Sequence, residues 1–246
     1  MANILLTGSA GAIGRRIGPE LIQAGHAVRG YDLFPTEWAE DAVTADLTDR
    51  EAMAEALLGI DTVIHLAANP FGKTPFADLL QPNYVGPRQL VELAAGQGTL
   101  RRLVLASTIQ VYRGHKGLPH EQRAQHGGME DVAPTNDYAL SKVWLEHLGE
   151  WAAREYGWSV LAVRIGWFVR NDKEHAALAE ATQAHGWYLS HGDTRRFFRA
   201  AVEADYAGFH VVNAVSNPPP GGANCSPQPA SDTLGWTPKD RFEPGH

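Results

Sequence analysis

The first 32 residues constrain the fold of this chain most, because they predict a strand, a glycine-rich turn, a helix and a second strand without interruption. Residues 4–6 form a short apolar run, and TGSAGAIG (residues 7–14) follows it directly. Three glycines at this spacing allow a tight turn, bring backbone amides close to a diphosphate, and let the next helix pack closely on its strand. The unpaired amides and partial positive charge of the helix N-terminus would then face the phosphates.

An acidic residue ends the second predicted strand. Residues 27–31 form that strand, and Asp32 lies 24 residues after Gly8. At this place a carboxylate holds the hydroxyls of an adenosine ribose and repels a 2′-phosphate. The order of strand, glycines, helix, strand and acid therefore predicts that the chain binds NAD rather than its phosphorylated form. A plain βαβ packing unit is the alternative.

The length and composition of the chain narrow its class and its partners. A chain of 246 residues can bury a substantial core, and one domain is expected. The net charge of −7 argues against nucleic acid and anionic membranes as partners. Cys225 is the only cysteine, so no intrachain disulfide can form. With no apolar run of membrane-spanning length, a cytoplasmic protein is expected.

Strands and helices are predicted to alternate along the next part of the chain. Predicted strands cover residues 42–45, 62–66, 102–106 and 160–165, and predicted helices cover residues 50–58 and 79–95. Such alternation requires parallel pairing, so the predicted fold is an α/β, Rossmann-type doubly wound parallel sheet. Ligands then bind beyond the carboxyl ends of the strands, which carry Gly8, Asp32, Asp46, Ala67, Ser107 and Gly166.

The first predicted helix contains a proline, and the C-terminal third of the chain is less regular than the rest. Pro19, after Gly18, falls inside the first predicted helix and should kink it or delay its start. Helices are expected at residues 174–185 and 194–204 and a strand at residues 209–213. The run PPPGG (residues 218–222) interrupts any pattern and predicts an exposed loop.

A tyrosine and a lysine four residues apart form the main chemical motif. Tyr138 and Lys142 open a predicted helix that Asn136 or Asp137 can cap, and their spacing places both on one face. The ammonium would stabilise the phenolate and make the tyrosine a usable base near neutral pH. Alone, such a pair is commonplace on a solvated helix face. The Ser107-Thr108 pair just past a strand supplies a hydroxyl for the same substrate oxygen.

Together these motifs resemble the extended short-chain dehydrogenase/reductase family. TGSAGAIG resembles its glycine loop, HLAA (residues 65–68) the strand end beneath the cofactor, and STIQVY (residues 107–112) with YALSK (residues 138–142) its catalytic motifs. The resemblance implies a catalytic set of Thr108, Tyr138 and Lys142. It implies cofactor contacts from Gly8, Gly11, Ala12, Ile13, Gly14, Asp32, Asp46, Leu47, Leu66, Ala67, Ala68, Asn83, Tyr138, Lys142 and Ile165. It implies substrate contacts from Asn69, Ser107, Thr108, Ile109, Gln110, Tyr138, Gly166 and Arg170, and no metal.

A narrower resemblance reaches the end of the chain. Segments such as WYLSHGD and LGWTPKD are similar to the compact branch of uronate dehydrogenases and a haloarchaeal glucose-6-phosphate dehydrogenase. This implies oxidation of a free or phosphorylated monosaccharide at the anomeric hydroxyl, giving a lactone. The chain departs from the branch at Ile109, where the branch has a substrate-binding amide, and in residues 216–234, which lack its aromatic stretch.

Two other functions stay open at this point. The first is a nucleotide-sugar epimerase or dehydratase, which uses the same fold and cofactor but returns the hydride. The second is a dinucleotide-sensing protein without turnover. The expected division is a dinucleotide-binding core of residues 1–166 and a substrate-binding portion of residues 167–246. Only 80 residues follow Gly166, which favours a monosaccharide over a nucleotide sugar.

Other side chains have structural explanations of their own. Arg170, His191 and Arg195 are candidate anchors for a substrate carboxylate or phosphate, although each is also typical of a surface charge. His115, His120 and His126 lie in one loop without the pattern of a metal site, and His65 is interpreted as a packed strand residue.

The helix of Tyr138 carries an apolar stripe, as does the helix at residues 79–95, and the family pairs these helices across a two-fold axis. A homodimer is therefore expected. The stripe consists of Trp144, Leu148 and Trp151.

Overall fold

Seven parallel strands form the central sheet of the computed structural model, which describes residues 1–115, 128, 129, 131–218 and 225–243. Their spatial order is β3-β2-β1-β4-β5-β6-β9, and every neighbouring pair is parallel. The strands are β1 (Asn3–Thr7), β2 (Ala27–Asp32), β3 (Ala42–Thr44), β4 (Thr62–His65), β5 (Arg102–Thr108), β6 (Ser159–Ile165) and β9 (Phe209–Ala214). Strands β7 (Trp167–Phe168) and β8 (Tyr188–Leu189) pair separately. The predicted doubly wound sheet is confirmed.

Helices cover both faces of the sheet. They are α1 (Gly14–Gln23), α2 (Arg50–Ala56), α3 (Phe76–Leu79), α4 (Gly86–Gln97), α5 (Asp137–Tyr156), α6 (Asp172–Glu180), α7 (His191–Glu203) and α8 (Gln228–Leu234). Helices α1, α7 and α8 bury apolar side chains in one core cluster, and α2, α4 and α5 do so in a second cluster on the opposite face. Burial of both sheet faces explains why the strands are apolar without alternation.

Helix α1 differs from the sequence expectation. It begins at Gly14, directly after the glycine loop, and continues through Pro19 to Gln23. Of the two expectations, a kink or a late start, the late start is therefore wrong. A side chain at Gly18 would overlap the ring of Trp38, whose Nε1 donates to the Ser9 carbonyl at 2.9 Å. The glycine before the proline is thus explained by the close packing of this indole.

The helix predicted at residues 79–95 is divided into three parts. A short α3 is followed by a π-helical segment, Leu80–Val85, and α4 begins at Gly86. Pro82 lies within the π-helical segment and has no backbone N–H, so it cannot complete the regular hydrogen-bond ladder there. This segment places Asn83 in the interior, where it is 3% exposed.

The C-terminal part contributes to the same sheet, because β9 pairs with β6. The helix predicted at residues 174–185 ends at Glu180 and is followed by a 3₁₀ segment, Thr182–Trp187. Helix α7 begins three residues earlier than predicted, because Ser190 Oγ accepts a hydrogen bond from the Asp193 amide at 2.8 Å. Part of the predicted PPPGG loop lies outside the described residues. Among the described residues, no helix has the length and apolar character that a membrane span requires.

Candidate active site

One large cavity lies beyond the carboxyl ends of the central strands. Its volume is about 1040 Å³, which is room for a dinucleotide together with a small substrate. The predicted crevice therefore exists. It is lined by residues of β2, β5 and β6 and by residues that directly follow β1 and β4. Predicted site residues in its wall are Gly8, Gly11, Ala12, Ile13, Gly14, Asp32, Asp46, Leu47, Leu66, Ala67, Ala68, Asn69, Ser107, Thr108, Ile109, Gln110, Tyr138, Lys142, Ile165, Gly166 and Arg170.

The glycine loop passes so close to β4 that no side chain fits. Gly8 has φ +73, and a Cβ there would lie 2.8 Å from the Ala67 amide nitrogen. A Cβ on Gly14 would overlap the Gly8 carbonyl. The loop therefore exposes backbone to the cavity, and the first turn of α1 leaves amides without intrahelical acceptors. These features fit the diphosphate of a dinucleotide.

Two carboxylates lie in the wall on the β2 side of this loop. Asp32 Oδ2 accepts from the Ala10 amide at 2.9 Å, and its Oδ1 accepts from the Phe34 amide at 3.0 Å. Asp46 Oδ1 accepts from the side chain and backbone of Thr48, and these hydrogen bonds lower the pKa of Asp46. Both positions suit the hydroxyl and amino groups of an adenosine.

Helix α5 presents the tyrosine and the lysine to the same cavity. Asn136 caps this helix by accepting from the Ala139 amide at 2.8 Å, which decides between the two caps considered. Tyr138 and Lys142 are 8% and 4% exposed, so neither lies on a solvated helix face. The Lys142 ammonium is 5.8 Å from the centroid of the Tyr138 ring.

Burial dominates the titration of this pair. It raises the pKa of Tyr138, while a hydrogen bond with Thr108 and the charge of Arg170 act in the opposite direction. The expected lowering of the Tyr138 pKa by Lys142 is therefore not observed. Burial also lowers the pKa of Lys142 to about 8, because the ammonium has lost its solvation.

The two neighbouring hydroxyls at the end of β5 have different partners. Ser107 Oγ donates to Glu146 Oε1 at 2.5 Å, so its hydroxyl is engaged below the cavity. Thr108 forms the hydrogen bond with Tyr138 and also accepts from the Gln110 amide at 3.3 Å. The hydroxyl that faces the tyrosine is thus that of Thr108.

Asn83, which the resemblance assigned to the cofactor, is not among the described residues that line the cavity. Its Oδ1 accepts from the Asn69 amide at 2.8 Å, and its Nδ2 donates to the Asn69 carbonyl at 3.2 Å. The same Nδ2 donates to Ser141 Oγ at 2.9 Å. Asn83 therefore connects the segment after β4, at Asn69, to α5, because the π-helical segment turns it inwards.

The three anchors considered for a substrate anion occupy different places. Arg170 lies in the cavity wall, where its Nε donates to Glu174 Oε1 at 2.7 Å and its Nη2 forms an ion pair with the same oxygen at 2.5 Å. Burial acts to raise the pKa of the Glu174 carboxyl, but the hydrogen bonds from Arg170 outweigh burial and lower this pKa. His191 Nε2 bonds to the Val169 carbonyl at 2.7 Å, and Arg195 lies 3.7 Å from a carboxylate oxygen of Glu20. Neither His191 nor Arg195 belongs to the described part of the cavity wall, so the cavity gives no support to either as an anchor.

Sequence reasoning missed several residues in the wall. Trp167 and Phe168 follow Gly166 directly, and their position just past a strand end was the signal that could have identified them. Arg113 lies in the 3₁₀ segment Ile109–His115, and Phe71 and Glu174 come from loops or helix starts with no motif. These residues make their part of the cavity wall partly aromatic and place both signs of charge there.

His65 is a packed strand residue, as interpreted. It is 1% exposed, its Nδ1 lies 2.8 Å from Thr7 Oγ1, and burial lowers its pKa to about 3. In the part of the chain that the structure describes, no group of three or more His, Cys, Asp or Glu residues is arranged to hold a metal ion. His120 and His126 lie outside that part.

The cavity lies at the edge of a parallel sheet and contains both the glycine loop and the pair Tyr138 and Lys142. These features define a dinucleotide-binding protein of the short-chain dehydrogenase/reductase type. The chain belongs to the NAD dependent epimerase/dehydratase family, whose model matches residues 4–169. NAD is therefore its cofactor, and the predicted resemblance is confirmed.

Named relatives are similar to the chain over most of its length. L-arabinose 1-dehydrogenase (NAD(P)+) of Haloferax volcanii is 33% identical in an alignment of 232 positions that covers 88% of this chain and 89% of that protein. Uronate dehydrogenase of Agrobacterium fabrum is 30% identical over 246 residues, covering 99% of this chain and 86% of that protein. The crystal structure of glucuronic acid dehydrogenase from Chromohalobacter salexigens matches with TM-score 0.82 and 28% identity, covering 99% and 86% of the two chains.

Proposed function

We propose that this protein oxidises a free or phosphorylated monosaccharide at its anomeric hydroxyl with NAD and releases a lactone. The observation that carries the proposal is that Thr108, Tyr138 and Lys142 lie together in the cavity that contains the glycine loop. The relatives that match most of the chain are named as dehydrogenases of monosaccharides. The alignments also cover 89% and 86% of the lengths of these two relatives, which supports the same kind of substrate here.

The residues of the glycine loop and the strand ends fit the cofactor. The amides at the start of α1 would hold the diphosphate, and Asp32 would accept hydrogen bonds from the adenosine ribose. Lys142 would donate to the ribose next to the nicotinamide. When bound, NAD supplies the acceptor for the hydride that leaves the sugar.

Tyr138 is proposed as the general base. It would take the proton of the anomeric hydroxyl as a hydride leaves the same carbon, so that a carbon–oxygen double bond forms. Thr108 would hold the substrate oxygen through its hydroxyl, and the positive charge of Lys142 would favour the phenolate form of Tyr138. The raised pKa of Tyr138 makes this electrostatic help necessary near neutral pH.

The substrate-binding portion is proposed to be residues 167–246. Trp167 and Phe168 offer aromatic faces to the carbon side of a sugar ring, and Arg170 with Glu174 offers donors and acceptors for its hydroxyls. A carboxylate or phosphate on the sugar would compete with Glu174 for Arg170. This arrangement suits a monosaccharide.

A spectrophotometric panel tests the function. Hexoses, pentoses, hexuronates and sugar phosphates are each incubated with NAD, in parallel with UDP- and dTDP-sugars. Accumulation of NADH with a monosaccharide supports the proposal. Conversion of a nucleotide sugar without net NADH would identify an epimerase or dehydratase instead, and binding of NAD without any turnover would identify a sensing protein.

The protein is also proposed to form a homodimer through α3, the π-helical segment and α5. Exposed apolar side chains are concentrated on these elements, and Phe76 and Leu140 are 53% and 50% exposed. Tyr84 joins the two parts, with its ring 5.8 Å from that of Phe76 and 5.0 Å from that of Trp144. Of the predicted stripe, Leu148 is in the core, so only the two tryptophans remain for an interface.

A cytoplasmic location is proposed from the same function. Oxidation of a monosaccharide by this protein would depend on a supply of NAD. The single cysteine, Cys225, is buried and free, which suits a reducing compartment. Fractionation of cells that express the tagged full chain, with a cytoplasmic enzyme as marker, tests this location.

A further inference from the structure

A fully buried ion pair lies beneath the cavity, and the proposed reaction does not use it. Glu146 on α5 and Arg164 on β6 are both 0% exposed. Arg164 Nε donates to Glu146 Oε1 at 2.9 Å, and Nη2 donates to Oε2 at 2.8 Å. Two buried charges lose so much solvation that apolar side chains of similar volume are often equally stabilising. Stability alone is therefore a weak reason for this pair.

The carboxylate of the pair also holds a residue next to the proposed catalytic set. Ser107 Oγ donates to Glu146 Oε1 at 2.5 Å. Ser107 directly precedes Thr108 at the end of β5, and both are buried. The hydrogen bond therefore ties the strand end that carries Thr108 to the helix that carries Tyr138 and Lys142.

Glu146 and Arg164 also lie close in the sequence to residues of the site. Glu146 follows Lys142 by four residues and Tyr138 by eight, so the three share one side of α5. Arg164 directly precedes Ile165, which lines the cavity at the end of β6. Both members of the ion pair are thus built into elements that carry residues of the site.

The third nitrogen of the Arg164 guanidinium is also engaged. Its Nη1 donates to the Tyr112 hydroxyl at 2.7 Å and to the Gly128 carbonyl at 3.1 Å. The Tyr112 hydroxyl donates to Asn213 Oδ1 at 3.0 Å. A planar guanidinium held on several sides fixes the plane of the carboxylate that it binds. Glu146 cannot shift without breaking several of these hydrogen bonds.

We propose that Glu146 and Arg164 are positioning residues, which hold Ser107 and so keep the Thr108 hydroxyl within hydrogen-bond distance of Tyr138. This inference rests on the proposed function, because it concerns the geometry of that reaction. Reaction rates depend steeply on such geometry, and a displacement of about 1 Å can cost about 100-fold in rate.

The first test is Ser107→Ala, which removes the tie and leaves the ion pair in place. Ser159→Ala is the matched control, because Ser159 Oγ donates to the Tyr206 carbonyl at 2.7 Å at the opposite end of β6. We expect Ser107→Ala to lower kcat by about 10- to 100-fold, with the Kd for NAD unchanged. Ser159→Ala should keep the parent kcat. A parental kcat in Ser107→Ala would overturn the proposal.

The second test separates positioning from stability. Glu146→Gln leaves a buried Arg164 without its counter-charge and can fail to fold, so the double variant Glu146→Leu/Arg164→Met is measured beside it. The proposal predicts that the double variant folds with a midpoint near that of the parent but has the low kcat of Ser107→Ala. Full activity in the folded double variant would contradict it.

A readout without turnover distinguishes failure of the positioning role from failure of the proposed function. Crystal structures of the parent and of Ser107→Ala, each with NAD, give the distance between the hydroxyl oxygens of Thr108 and Tyr138. We expect a hydrogen bond in the parent and a longer separation in the variant. If the parent oxidises no sugar, the proposed function fails, and this distance still decides on the positioning role. An unchanged distance in Ser107→Ala would overturn it.

Discussion

The carboxylate of Asp32 accepts a hydrogen bond from the backbone amide of Ala10 at 2.9 Å, which joins the end of β2 to the glycine loop. A second hydrogen bond, from the Phe34 amide, holds the other carboxylate oxygen. The acid is therefore fixed beside the place where the adenosine ribose would lie, and its charge cannot turn away from an added phosphate.

This relation predicts tighter binding of NAD than of NADP. A 2′-phosphate would meet the fixed charge of Asp32, and no Arg or Lys follows in residues 33–49 to neutralise it. Titration calorimetry with both cofactors measures the preference, and Asp32→Asn should reduce it. Tighter binding of NADP by the parent protein would contradict the assignment, with Arg15 beside the loop as the first residue to examine.

Sequence reasoning was most successful where the structure is local. Gly8 and Asp32 follow from neighbouring residues in the chain, which also narrowed the helix cap to Asn136 or Asp137. The sheet follows from the alternation of strands and helices. The division of the helix at residues 79–95 was missed, although Pro82 was the available signal.

What sequence reasoning missed in the site depends on contacts between distant segments. The bond between Ser107 and Glu146 joins residues 39 apart, and no pattern marks it. The direction of the Tyr138 pKa shift was also missed, because it is set by burial from several elements rather than by the nearest charge.

Tyr138→Phe should abolish most turnover and leave NAD bound. A positioned general base contributes about 100- to 10,000-fold in rate, and phenylalanine removes only the hydroxyl. Steady-state kinetics and titration of NAD binding check both parts. Tyr156→Phe, at the far end of the same helix, is the matched control and should behave as the parent. Retained activity in Tyr138→Phe would reject the role of this residue.

Lys142→Met should stabilise the unliganded protein at pH 7 and lose that advantage as the pH rises. Burial lowers the pKa of Lys142 from 10.5 to about 8, so between these values the unfolded chain binds more protons than the folded one. Stability of the parent therefore rises with pH across that window. The cost of burying the charge at pH 7 is at most about 3 kcal/mol.

Urea unfolding of parent and variant at pH 7 and pH 10 measures this difference. The comparison across pH isolates the titration from any change in packing. Lys173→Met, at an exposed position of α6, is the control for the loss of one lysine side chain. An equal stability difference at both pH values would contradict the buried charge.

Glu174→Gln should favour anionic sugars. In the parent, Glu174 binds the Arg170 guanidinium through a hydrogen bond from Nε and an ion pair with Nη2, so a substrate carboxylate or phosphate has to compete with it. A hydrogen bond to a charged group contributes about 1.5–3 kcal/mol, so kcat/KM for hexuronates and sugar phosphates should rise about tenfold or more relative to a neutral hexose. Glu180→Gln, near the end of the same helix, controls for the change in net charge. An unaltered ratio would show that Arg170 does not meet the substrate's anion.

Leu140→Glu should convert the proposed dimer into monomers. Leu140 is 50% exposed on α5, and a charge there would be buried in the interface. Sedimentation velocity measures the oligomeric state. Leu58→Glu, at a residue that is 56% exposed elsewhere on the surface, is the control and should remain dimeric. A monomeric parent protein would refute the proposed interface.

The most direct test of the central claim is the stoichiometry of the reaction. The sugar that gives the fastest NADH release is incubated with the protein and limiting NAD, and the product is followed by ¹³C NMR at the anomeric carbon. The proposed function predicts one NADH for each lactone carbonyl formed. A changed sugar that appears without NADH, or NADH that appears without a carbonyl at the anomeric carbon, would contradict it.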